Sequence, residues 1–347
     1  MSRIAVVTSS PPLSEGGHLV IARAIVDTLR RMGHEADLVT TPQNRFGRQA
    51  AAYLATWMTD VGVDGAGRRV DQVISLRFPS YAVRHAAHVC WLNHTMREYY
   101  DQWPRFRAAL GRKAVVKETI RRRLIHAADR YLLTRNVDRL FVQSKTIQTR
   151  LAMLGRVRST VLHPPPPPRL YRCEGYGDYI FAVSRLTPLK RLSLLIGALA
   201  RPEAAGIRCL IAGDGEERQT LQHAIDTHGL TSRVRLIGHI NEDQLVEHLA
   251  RCRAVCFPPF DEDYGFVTVE AFACRKPVIT CTDSGGPTEL VIDGVSGRVC
   301  APTLEALAVA LREMMDNPAA VRRFGDAGYE QVSRMTWEGA LKTLILV

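Results

Sequence analysis

Two carboxylates eight residues apart, Glu262 and Glu270, stand in the stretch 257–297, FPPFDEDYGFVTVEAFACRKPVITCTDSGGPTELVIDGVSG. The first lies in a loop after a short apolar run, 254–257, closed by Pro258 and Pro259. The second lies just inside a helix-like run, 267–274, and a second apolar run follows at 277–281. In a parallel sheet the carboxyl ends of the strands form the edge where ligands bind, so both acids can face one ligand. Arg185 and Lys190 stand on another strand-to-helix connection of the same half. A guanidinium binds two oxygens at once and an ammonium adds a point charge; beside unpaired helix N–H groups they form a clamp for a pyrophosphate. Arg191 is open to the role of Lys190, or to a plain surface position. Asp261-x-Asp263 has the look of a metal-binding pair, but cations that already neutralise a diphosphate leave no need for one, and no metal is expected. No residue stands out as a covalent nucleophile.

Alternating strand and helix patterns must position these groups. Residues 3–8 are almost wholly apolar, as a strand buried on both faces of a parallel sheet should be. A turn-rich loop carrying Glu15-Gly16-Gly17 opens a helix over 19–32, which Gly33 stops, and 35–40 is the next strand. A helix start of this kind presents unpaired N–H groups to an anion. It lacks Gly-x-Gly-x-x-Gly, which argues against a dinucleotide site. Further strands fall at 71–76 and 88–92, the second running into Asn93-His94-Thr95, so His94 lies at the ligand edge; Arg97 and Tyr100 are open to lining an acceptor site or to packing, with packing favoured. A basic helix over 114–133, a strand at 138–143, a helix capped by Ser144 and a strand at 160–162 complete this half. Then His163 precedes five prolines, Pro164 to Pro168. Such a run is stiff and cannot join a sheet interior, so 164–168 is expected to link two domains. Beyond it lie strands at 179–183, 207–212 and 234–238. Gly213-Asp214-Gly215 opens a helix from 216, Asn241 caps a helix reaching 251, and helices at 304–315 and 319–329 flank Asn317-Pro318.

Length, charge and cysteines bound the answer. A chain of 347 residues, 46% hydrophobic and 23% charged, is long enough for two globular domains. No window approaches a membrane-spanning apolar run, and the N-terminus enters a strand directly, unlike a signal peptide. Eight scattered cysteines without a Cys-x-x-Cys pair suit reduced thiols in the cytoplasm. The net charge is +11, and residues 81–160 hold seventeen Lys and Arg against five Asp and Glu, leaving the rest near neutral. A patch this basic attracts phosphates or an anionic membrane surface. Few aromatic residues interleave with it, so nucleic acid is not expected.

Glu262, Gly265, Phe266, Glu270, Ala271 and Pro277-Val278, then Gly285-Gly286, Glu289 and Gly294, resemble the signature of the retaining family 4 glycosyltransferases, a family with the two-domain GT-B fold. The other motifs fall at the family's spacing along the whole chain. The resemblance implies an α/β chain of two doubly wound Rossmann-like domains facing across a cleft. Residues 1–163 would form the acceptor-side domain and 169–330 the nucleotide-sugar domain, with a C-terminal helix within 331–347 packing back on the first. It implies that Gly16 and Gly17 approach the donor's phosphates and sugar, that His94 faces the donor sugar, and that Arg185 and Lys190 hold the diphosphate. Gly213, His239 and Ile240 lie near the nucleoside, and Glu270 accepts from the ribose hydroxyls. Glu262 contacts the transferred sugar, with Asp263, Tyr264, Gly265, Phe266 and Val267 beside sugar and phosphate. The proline run and Arg275, where the family usually has glycine, depart from the pattern.

The activity so implied is transfer of a hexose from a nucleotide-diphosphate sugar to an acceptor hydroxyl with retention, without cofactor or metal. The products would be cell-surface polysaccharide, glycolipid or a secondary metabolite. The basic first half favours an anionic or lipid-linked acceptor and a peripheral contact at the inner membrane face. Two rival readings are a sugar-nucleotide epimerase on the same scaffold, which would act with no acceptor present, and a non-catalytic binding subunit.

Overall fold

The computed structural model describes residues 1–11, 17–43 and 47–346, and the chain divides into two compact units within the proline run. The first comprises Met1–Pro164 with Thr336–Val347, the second Pro165–Met335.

The first unit runs β1 (Arg3–Ser10), α1 (Gly17–Arg31), β2 (Glu35–Pro42), α2 (Gln49–Met58), β3 (Gln72–Ser75), β4 (His88–Leu92), α3 (Trp103–Ala108), α4 (Arg112–Tyr131), β5 (Arg139–Val142), α5 (Lys145–Leu151) and β6 (Thr160–Val161). Its six strands are all parallel, in the order β2-β1-β3-β4-β5-β6. Helices cover both faces, so β3 and β4 are buried at every position. Helix α2 is an element that the reading of the sequence did not place. Ser144 caps α5 by accepting from the Ile147 N–H at 3.1 Å.

The second unit runs β7 (Tyr179–Val183), α6 (Leu192–Leu199), β8 (Arg208–Ala212), α7 (Arg218–Thr227), β9 (Val234–Gly238), α8 (Glu242–Arg251), β10 (Ala254–Cys256), α9 (Phe266–Ala273), β11 (Val278–Cys281), α10 (Pro287–Leu290), β12 (Gly297–Cys300), α11 (Leu304–Asp316) and α12 (Pro318–Ser333). Its sheet, again parallel throughout, has the order β12-β11-β10-β7-β8-β9. Successive side chains of a strand serve opposite faces: Ile180 and Ala182 enter the core under α6 and α11, while Phe181 enters the core under α9. Asn241 makes a full capping box with Gln244 at the start of α8. Helix α7 begins at Arg218, two residues beyond the expected start, because residues 216 and 217 form a turn after the glycine loop.

The last helix, α13 (Trp337–Leu344), belongs to the first unit. The Gln72 amide donates to Leu344 O at 2.7 Å and accepts from Leu346 N–H at 2.8 Å, and Trp337 meets Trp91 edge-on at 6.2 Å between centroids.

Candidate active site

In the second sheet the winding reverses between β7 and β10. All strands run one way, so the connections after them leave from a single edge, and the crevice at such a switch point is where open α/β sheets bind ligands. The connection after β7 carries Arg185 and Lys190; the one after β10 carries Glu262. The two loops are tied by Phe260 N–H donating to Leu189 O at 2.8 Å. Lys190 Nζ lies 2.6 Å from Glu262 Oε2, with both side chains mostly buried, and 5.5 Å from the centre of the Phe257 ring. Arg185 is exposed and, among the described residues, in no ion pair.

Arg191 does not share the role left open for it. Its guanidinium holds both oxygens of Asp283 at 2.7 Å and donates to the carbonyls of Pro258 and Pro259 at 2.8 and 2.7 Å. It fastens the loop after β10 to the loop after β11, and does so from the left-handed region, with φ of 49°. Arg191→Lys keeps one charge but loses the fork. The expected result is a loss of about 2 kcal/mol in unfolding free energy with a smaller change in donor KM, read by thermal unfolding and kinetics.

Two glycines let these loops meet. Gly213, with φ of 127°, abuts the turn that carries Arg185: a Cβ there would stand 1.8 Å from Ser184 O. Its N–H donates to Gly238 O at 2.7 Å, joining the ends of β8 and β9. Gly285, with φ of 71°, pairs with Glu262 in a parallel bridge, and a Cβ would stand 2.6 Å from Glu262 O. These glycines therefore set where Arg185 and Glu262 sit.

Glu270, in the second turn of α9, is buried and meets Arg169, the residue directly after the proline run. Tyr171 Oη lies 3.5 Å from the same carboxylate, and Arg169 also reaches Glu242 at 3.0 Å. Burial pushes the Glu270 carboxyl up to about 7, with Arg169 pulling it back. The sequence reading missed Arg169, Tyr171 and Asp283. Only the place of Arg169 after the linker hinted at a role.

Gly265, with φ of 86°, is the N-cap of α9, and Phe266 and Val267, half-buried, open that helix. Tyr264 is buried against the Phe266 ring at 5.0 Å, and burial raises its hydroxyl well above the usual tyrosine value. Asp263 is half-buried in the same loop, and among the described residues no group of three or more His, Cys, Asp or Glu is placed to hold a metal. His239 is exposed just past β9, with Ile240 packed on the core beside it. In the first unit, Gly16 lies outside the described residues and Gly17 is the first residue of α1. His94 follows β4 at that sheet's carboxyl edge, its Nδ1 2.8 Å from Thr95 O.

Two parallel six-stranded units of this kind define the GT-B class of glycosyltransferases, and solved structures of similar shape span nearly the whole chain. A sucrose-phosphate synthase from Thermosynechococcus elongatus superposes with a TM-score of 0.76 at 18% identity, over 99% of this chain and 97% of its own. Anabaena Alr3699/HepE, in complex with UDP and glucose, gives 0.69 at 17% identity, over 98% and 97%. Residues 175–331 match the model of the family described as glycosyl transferases group 1, and the resemblance read in the sequence is borne out. A glycogen synthase of Mycobacterium tuberculosis is 33% identical over 160 residues, 45% of this chain; the chain spans only 38% of that relative's length.

Proposed function

We propose that this chain transfers a sugar from a nucleotide-diphosphate donor to an acceptor hydroxyl with retention of the anomeric configuration. The observation that carries the reading is the Lys190–Glu262 pair at the switch point of the second sheet, with Arg185 on the same connection as Lys190. Without donor the two charges neutralise each other. An arriving diphosphate competes for Lys190 and meets Arg185, and the released Glu262 carboxylate accepts from hydroxyls of the sugar. As the bond from the anomeric carbon to the diphosphate breaks, charge on the leaving group is met by both cations and by the N–H groups opening α9. The acceptor oxygen bonds to the same face, and its proton passes to a departing phosphate oxygen, so no covalent nucleophile is needed. Glu270 is assigned to the ribose, His239 and Ile240 to the base, Gly213 to the nucleoside loop, Gly17 to the phosphates and His94 to the reacting sugar. That a structure of the same fold holds UDP and glucose supports a nucleotide-sugar donor.

A thermal-shift panel of UDP-, GDP-, ADP- and TDP-sugars tests the reading. The matching donor at about a hundred times its Kd should add about 2.7 kcal/mol of stability. Proton NMR of the product then gives the anomeric configuration. A wild type that responds to none of the four, or a product of inverted configuration, rejects the proposal.

A further inference from the structure

The first unit carries a face that sugar transfer does not use. Helix α4 turns both its acids inward. Glu118 accepts from the Tyr99 hydroxyl at 2.7 Å and from Arg121 at 2.6 Å. Asp129 is fully buried and accepts from the hydroxyls of Tyr53, Tyr81 and Tyr100. The outward face is left to hydrocarbon and cations. Val116, Ile120 and Leu124, each one turn apart, are 62%, 55% and 66% exposed. Arg112, Lys113, Lys117, Arg123 and Arg130 are exposed as well, and at 3.6 residues per turn all eight fall within an arc of about 140°. Among the described residues none of these five cations pairs with a carboxylate. Beside this row a groove of about 720 Å³ opens between α2 and α4, lined by Leu54, Trp57, Ile120, Leu124 and Tyr131, with Lys117 also on its wall. Leu54 and Met58 extend the exposed apolar surface along α2.

A solvated helix face does not set a row of aliphatic side chains among unpaired cations. The hydrocarbon seeks a phase without water, and the cations seek a layer of negative charge; an anionic lipid surface supplies both at once. We propose that this face of α2 and α4 docks on an anionic bilayer. Val116, Ile120 and Leu124 enter the acyl boundary, the groove accommodates a lipid chain, and the five cations meet lipid phosphates. No helix among the described residues is long and apolar enough to cross a membrane, so the contact is with the surface. The inference stands apart from the sugar-transfer reading and is measured without donor, so either can fail alone.

The test is flotation of the full chain with vesicles of phosphatidylcholine alone and with phosphatidylglycerol added. The wild type should float with the anionic vesicles only. Ile120→Asp with Leu124→Asp should lower the bound fraction about tenfold or more, as should Lys113→Glu with Lys117→Glu. All four side chains face solvent, so the melting temperatures should match the wild type and exclude misfolding as the cause. A wild type that floats with neither vesicle, or an apolar double variant that floats as well as the wild type, overturns the proposal. So does a wild type that sediments as a dimer, becomes a monomer in that variant and binds no vesicle, which assigns the face to a second copy.

Discussion

Lys190→Ala is expected to lower kcat/KM by about two to three orders of magnitude, about 3–4 kcal/mol of transition-state stabilisation. The ammonium sits at the switch point of the second sheet, 2.6 Å from Glu262, and Arg191 cannot replace it because Asp283 and two proline carbonyls occupy its guanidinium. Removing Lys190 also leaves the Glu262 carboxylate without its partner, and at the proposed diphosphate site repulsion would add to the lost attraction. A double-mutant cycle with Glu262→Gln separates the two effects: recovery in the double variant measures the repulsion, and the remainder measures the clamp. Steady-state kinetics with the donor found in the thermal-shift panel provides the readout. Near-normal kcat/KM in Lys190→Ala would remove this residue from the diphosphate site.

If Glu270 holds the ribose as proposed, Glu270→Gln is expected to raise the donor KM about tenfold to a hundredfold, the cost of turning a carboxylate acceptor for two hydroxyls into an amide. Its signature is in the pH dependence. Burial raises the Glu270 carboxyl to about 7, so the wild type should bind donor more tightly as pH rises through about 7, and the variant should be flat there. Stability moves the opposite way. The folded value is raised above the unfolded one, so the contribution is fully present below about 4.5 and is lost as pH rises through about 7. The difference amounts to about 3 kcal/mol. Asp129, pushed up to about 6 by burial, acts with the same sign. His88, lowered to about 4 by burial, acts oppositely: its contribution is present above the usual histidine value and is lost as pH falls towards 4. Thermal unfolding of wild type and Glu270→Gln between roughly pH 5 and pH 8 should show a smaller decline in the variant, with the Asp129 part retained. An identical decline in both would show that Glu270 does not titrate in this range.

Much of the fold is legible in the chain because the signals are local. Parallel strands such as β3 and β4 announce themselves as short unbroken apolar runs, since helices cover both faces. Asn241 with Gln244 three residues on, and Ser144 before α5, mark helix starts through side chains that reach only their own first turn. Helix α2 was not legible: its apolar residues line a groove and lie exposed instead of tracing one buried stripe.

The sequence by itself determined most of the alternating strands and helices, though not α2, α3, α10 or β12, and placed Arg185, Lys190, Gly213, His239 and Glu262 on connections after strands. That much follows from periodicity and turn chemistry within a few residues. Which charges meet was decided by the tertiary structure. Lys190 and Glu262 are 72 residues apart, Arg191 and Asp283 are 92 apart, and Arg169 and Glu270 are 101 apart. Neighbouring candidates such as Lys190 and Arg191 look interchangeable in the chain. They part company only when the sheet order sets β7 against β10, because an ion pair needs its partner within a few ångströms and no local pattern encodes a partner that far along the chain.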